Sequence, residues 1–153
     1  MDNNNIFLAV KAAIVGIFGA FGAAFGWLGW LVLAWIGCMV VDYISGSSAA
    51  MKAGQWSSAK ARGGIWHKAG MIVVVIVAAV ADNVLALVLA NIPGLPIEYT
   101  VLLLPMVLVW YILTELGSIL ENAAAMGAPV PEFLIRILAS AKEKVEVATE
   151  DTE

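Results

Sequence analysis

The chain has 153 residues, 62% of them hydrophobic and 13% charged, with a formal net charge of −4. An ordinary soluble domain is about 45–50% apolar and about 25% charged, and a chain this short cannot enclose so much apolar surface in its own core. Composition therefore excludes a soluble enzyme and a disordered protein, and leaves an integral membrane protein; the acidic balance also offers nucleic acid no basic stripe.

The charges divide the chain into segments. From Lys11 to Asp42 there are 30 residues without a charge. A spanning helix needs about 20 apolar residues, and one helix of this length would be about 45 Å long against a hydrocarbon core of about 30 Å. Two readings stand. A hairpin would place one segment at about 6–25, a turn near Gly26-Trp27-Leu28-Gly29-Trp30, and a second segment at about 27–47. A single long tilted helix is the other. The hairpin sets Trp27 and Trp30 at an interface, where tryptophan partitions. A cleaved signal peptide fits residues 1–25 poorly, because Asp2-Asn3-Asn4-Asn5 is not a positive leader. Gly22-Ala23-Ala24-Phe25-Gly26 is a GxxxG string, which makes Gly22 and Gly26 candidates for close helix packing.

A basic loop at 48–68 follows, with Lys52, Lys60, Arg62 and Lys68. The third segment, about 69–91, carries one charge, Asp82. Asn91-Ile92-Pro93-Gly94-Leu95-Pro96 signals a turn, and a fourth segment spans about 98–117. Pro129 and Pro131 then break the chain. Leu134, Leu138, Ala141 and Val145 share one face of an amphipathic helix at about 131–146, expected on the inner membrane surface or against a neighbour. Residues 147–153 form an acidic tail. Seven of the eight Lys/Arg residues lie in the 48–68 loop and the C-terminal part. The positive-inside rule therefore sets both in the cytoplasm and the 91–98 turn outside. The N-terminus is inside with the hairpin and outside with the single helix.

The intramembrane acids are the informative side chains. An acid at the centre of a span costs about 2.5–3.5 kcal/mol on the insertion scale, which the apolar residues of the 69–91 segment can offset. Asp82 should still face protein or water. It either lines a lesion or oligomer contact, or makes a plain polar contact with a neighbouring helix. Asp42 and Glu115 end their spans at similar depth near the cytoplasmic boundary, and Lys68 begins the third span at that level. The three are expected to form a charge cluster, with Lys52 and Arg62 as other basic partners. His67 reads as a headgroup-level polar residue and Cys38 as a small apolar one. One cysteine and one histidine leave no intrachain disulfide, no His-rich metal site and no nucleophilic triad, so no active site and no cofactor are expected.

Five strings occur in order: Val40-Val41-Asp42-Tyr43-Ile44-Ser45-Gly46; Ser57-Ser58 before Gly64-Ile65-Trp66-His67-Lys68; Asp82 within the third segment; Glu115-Leu116-Gly117-Ser118-Ile119-Leu120-Glu121-Asn122; and Gly127-Ala128-Pro129-Val130-Pro131. From about Trp27 to Leu138 this order resembles the toxin-secretion/phage-lysis holin family. Ser45 stands where the family often has Thr, and His67 replaces one of two successive basic residues. The resemblance implies an all-α polytopic membrane protein with three to four short transmembrane helices and a C-terminal amphipathic helix. It further implies a homo-oligomer in the bacterial host's cytoplasmic membrane, forming a lesion that passes an endolysin or, in some relatives, a toxin. The endolysin would be a functional partner without direct contact, and an antiholin a possible one; no cofactor, catalysis or nucleic acid is involved. Candidate assembly and charge-cluster residues are Asp42, Tyr43, Gly46, Gly64, Lys68, Asp82, Glu115, Glu121 and Asn122. Two competing classes are a small transporter or channel subunit using Asp82 or Glu115, and an antiholin regulator.

Overall fold

The structure, a computed structural model, describes residues 3–92 and 99–150. Most of the expected outer turn, residues 93–98, and the last three residues of the acidic tail lie outside the described residues. Among the described residues the regular structure is helical throughout: α1 (Asn3–Lys52), α2 (Ser58–Ala90), α3 (Leu103–Ala125) and α4 (Glu132–Glu150). Four stretches are long and apolar enough to cross a membrane: Asn4–Ala23, Gly26–Lys52, Ser58–Ala90 and Leu103–Ala125. This is an all-α polytopic membrane protein.

α1 contains two of these stretches because Gly26 breaks it, with φ 58° and ψ −143°. A side chain would clash with its own backbone in that region, so only glycine adopts it readily. Beyond the bend, a Cβ on Gly22 would come within 2.9 Å of the Trp30 indole. In a straight helix the two residues would be about 12 Å apart along the axis. The long stretch is thus two arms, an N-terminal arm before Gly26 and a second arm after it. Gly22 and Gly26, expected as a packing pair, have separate roles. Gly26 makes the bend and has nothing near its Cβ position, whereas Gly22 receives an aromatic ring of its own chain.

The connection after α1 is shorter than expected. Gly54, at φ 64°, closes α1 with a six-to-one bond from the Gln55 amide to the Ala50 carbonyl (2.9 Å) and a five-to-two bond from Gly54 to Met51 (3.0 Å). This is the left-handed glycine ending that satisfies the last carbonyls of a helix. Three residues later Ser57, in extended conformation, caps α2 by accepting the Lys60 amide at 3.2 Å. The segment 48–68, expected as a loop, is therefore non-helical only at 53–57. Its Ala, Lys and Arg are good helix formers, and two efficient caps leave little chain between them. Lys60, Arg62 and Lys68 lie on α2 itself. α3 ends in the same way, with Gly127 at φ 93° and the Ala128 amide bonded to the Ala123 carbonyl at 3.0 Å. The Lys52 ammonium donates to the Met126 carbonyl there, a cation at the negative end of a helix.

α3 is the central helix, touching α1, α2 and α4. Trp35 and Met39 from α1, Met71 and Val75 from α2, and the fully buried Leu108 from α3 form the core. The Trp35 ring stacks on Tyr111 with centroids 6.1 Å apart. After the Gly127 turn α4 runs back along α3. The Trp110 indole donates to Glu146 Oε1 at 2.9 Å, and Lys142 Nζ lies 4.4 Å from the Trp110 ring centroid. Leu138, Ala141 and Val145 of the expected apolar face are half-buried, but Leu134 is exposed. The neighbour that α4 meets is thus its own chain.

The bend at Gly26 makes a measurable distance. Spin labels at Ile14 and Ile36 in a Cys38→Ala chain would lie about 33 Å apart axially in a continuous helix. The wild-type bend gives a shorter separation, and Gly26→Ala should shift the distribution toward the straight-helix value in a pulsed dipolar measurement.

Candidate functional site

Two polar clasps hold the three packed helices together, one about halfway along α3 and one at its N-terminus. At the first, α1 contributes Asp42, α2 contributes Lys68 and α3 contributes Glu115. Lys68 Nζ bonds to Asp42 Oδ2 at 2.9 Å and to Glu115 Oε1 and Oε2 at 2.8 and 2.7 Å. An ammonium has three donors, and all three are used. The side chains are 15%, 18% and 4% exposed for Lys68, Asp42 and Glu115. Asn122, two turns beyond Glu115, donates to Asp42 Oδ1 at 3.0 Å and to Ser45 Oγ at 3.1 Å. The helices approach closely enough for these bonds because Gly46 sits against Asn122, where a Cβ would be 3.4 Å from Nδ2. Gly64 likewise faces the Tyr43 ring at 3.8 Å. The cluster borders a cavity of about 220 Å³ that reaches Trp56, Ser57, Lys60 and His67, before and along the first turns of α2.

The second clasp lies at the N-terminus of α3. Asp82 is 2% exposed and carries four donors on its carboxylate. Oδ1 accepts from the Tyr99 hydroxyl (2.5 Å) and the Leu102 and Leu103 amides (3.2 and 3.0 Å). Oδ2 accepts from the Leu104 amide at 2.7 Å. These amides are the first N–H groups of α3, which have no partner within their own helix. Pro105 follows and brings no N–H, which suits a first turn, and the Met106 amide returns to the Leu102 carbonyl at 3.3 Å. The α3 N-terminus is thereby fully capped by a side chain of another helix, and its dipole faces a carboxylate.

Of the residues singled out in the sequence, the structure joins Asp42, Lys68, Glu115 and Asn122 directly and sets Tyr43, Gly46 and Gly64 around them. Glu121 is exposed and outside the cluster, and so is His67. Asp82 meets a neighbouring helix of its own chain. Sequence reasoning missed Ser45, Tyr99 and the Lys52 contact with α3. Pro105 was the available signal for a helix starting at 103 rather than 98. Among the described residues no group of three His, Cys, Asp or Glu side chains is arranged to hold a metal ion. The clasps position helices and present no nucleophile beside a base.

Fold and site together define a small polytopic helical membrane protein whose spans are pinned by buried polar bonds. The profile of the bacteriophage holin family matches residues 19–143, and the chain belongs to that family. It is also 38% identical over 96 residues to an uncharacterized protein of Halalkalibacterium halodurans, covering 63% of this chain and 66% of the relative. The match thus spans just under two thirds of that relative's length. No solved structure matches the chain.

The two clasps respond differently to substitution. Lys68→Ala leaves two carboxylates without a cation and should destabilise the protein by about 3 kcal/mol, the lower end of what breaking a buried pair costs. Lys60→Ala, on the exposed start of α2, should stay within about 0.5 kcal/mol. Asp82→Asn replaces an acceptor by an amide that cannot serve both oxygen positions, and should cost about 1–3 kcal/mol. Unfolding of the purified protein in mixed micelles by added SDS checks all three.

Proposed function

We propose that this protein acts as the holin of a phage-type lysis system, oligomerising in the bacterial cytoplasmic membrane to form a lesion through which an endolysin reaches the cell wall. Membership of the bacteriophage holin family carries this reading. The thin internal packing supports it. Between 6% and 22% of the most apolar window of each span is fully buried within the chain, and the largely exposed faces of α1 and α2 are left for lipid or for other copies. In a bilayer, where apolar burial gives no drive, association then rests on packing and polar bonds. Release of a toxin in place of an endolysin would use the same lesion.

In this reading the 53–57 connection, the Lys60 and Arg62 end of α2 and the N-terminus face the cytoplasm, following the distribution of basic residues. A proton or cation pathway through Asp82 or Glu115 has less support, because both carboxylates are occupied by donors within the chain. A role as antiholin would share the fold and differ in outcome.

Induced expression in a bacterial host tests the function. A holin halts growth abruptly at a set time and permits rapid lysis when a cytoplasmic endolysin is present. An antiholin delays lysis by a second holin, and a transporter gives graded, substrate-linked effects. Orientation is read separately, in a Cys38→Ala chain treated with an impermeant thiol reagent before triggering. Ala53→Cys and Asn5→Cys should be protected in intact cells, and Ile92→Cys should label. Labelling of Ala53→Cys would reverse the topology.

A further inference from the structure

α4 is a strongly charged helix seated along an apolar one. Seven of its 19 residues are charged, yet it packs on α3, whose Leu103–Ala125 stretch is apolar enough to cross a membrane. Glu146 accepts from the Trp110 indole at 2.9 Å, and Lys142 Nζ lies 4.4 Å from that ring centroid. Val145 and Glu146 also border a cavity of about 290 Å³ with Val74, Met106 and Val107. Trp110 stands seven positions after Leu103 and 15 before Ala125, about 10 Å and about 22 Å from the two ends of α3. The turn from Lys142 to Glu146 is therefore level with the interior of a span. Glu143 and Lys144 in that turn are exposed, and among the described residues no ion pair involves either.

Charged groups inside a bilayer face a bundle interior or water, so lipid is excluded as the neighbour of these two. A position of α4 flat on the membrane surface would take Glu146 away from Trp110 and leave the indole N–H without its acceptor. The length fits a crossing. The 19 residues rise about 28 Å, against a hydrocarbon core of about 30 Å. The outward face of α4 presents Arg136, Ser140, Glu143 and Lys144, whereas α2 exposes Val73, Ile76 and Val77. One surface of the bundle thus requires water and another accepts lipid.

We infer that α4 is a further crossing seated on α3, and that its outward face of Arg136, Ser140, Glu143 and Lys144 lines the water-filled lumen of the assembled lesion. The inference rests on the holin reading, which supplies the lumen. The basic residues of α4 set this part of the chain on the cytoplasmic side while it is newly inserted. The crossing belongs to the assembly, where water is available to the charges.

Membranes isolated from induced cells test it, with Cys38→Ala chains. Val107→Cys with Val145→Cys should be joined by a short bis-maleimide in a monomer-sized product. Val107→Cys with Ile135→Cys, about 15 Å away along α4, should not. Ser140→Cys should react with a charged, water-borne thiol reagent many-fold faster than Val77→Cys on α2. Glu143→Leu should delay lysis several-fold at equal membrane amounts, and Glu143→Gln should not, because the lumen requires a polar side chain. Absence of the 107–145 crosslink, or equal crosslinking of both pairs, would overturn the inference and return α4 to the membrane surface. So would a Ser140→Cys as slow as Val77→Cys, or unchanged timing with Glu143→Leu. The two readings fail separately. The 107–145 crosslink and a reactive Ser140→Cys in chains that never permit lysis defeat the holin reading alone. Timely lysis by chains that lack the crosslink defeats the α4 lining alone.

Discussion

A helix that begins packed against a neighbour must find partners for its first amides, and Asp82 meets that requirement for α3. Asp82 lies eight positions before the end of α2 at Ala90, about 12 Å short of it. The α3 N-terminus is therefore held well short of the C-terminal end of its neighbour. A buried amide left without a partner is costly. One carboxylate supplies acceptors for three amides and a hydroxyl. That contact fixes the axial position of α3 on α2. The position then brings Leu108 into the core and Glu115 level with Lys68.

The Lys68 clasp completes what the Asp82 clasp starts. Three helices arrive at one ammonium whose three donors are all used. Its bonds lock their relative heights where apolar contacts alone allow sliding. Small residues make this possible. Gly46 and Gly64 sit where the polar bonds demand close approach, against Asn122 and Tyr43. The bundle is pinned at two levels by polar bonds and packed between them by only a few buried side chains. Such a unit can be rigid as a monomer and still leave nearly all its outer surface to lipid or to copies of itself.

α4 shows the same economy. Its Glu146 and Lys142 meet Trp110, five positions from Glu115 toward the N-terminus of α3. An indole N–H without a partner at that depth is costly, and α4 supplies the acceptor. The amphipathic pattern of this helix was plain in the sequence, but an apolar stripe serves a membrane surface and a protein neighbour equally well.

Much of the architecture is set by the sequence alone. Charge-free runs of about 20 residues or more dictate helices, because only a helix satisfies its backbone within a single segment there. The basic residues order the segments, and Asp42, Lys68 and Glu115 could be grouped by counting residues from helix ends. That arithmetic works because a helix rises at a constant rate. Tertiary structure alone decided where Asp82 points, that α3 starts at Leu103, and that 48–68 is mostly helix. It also decided that Gly26 bends the chain while Gly22 packs. Each of these depends on which backbone groups lack a partner once helices lie side by side. A sequence read one segment at a time does not display that property, since the missing partner belongs to another helix.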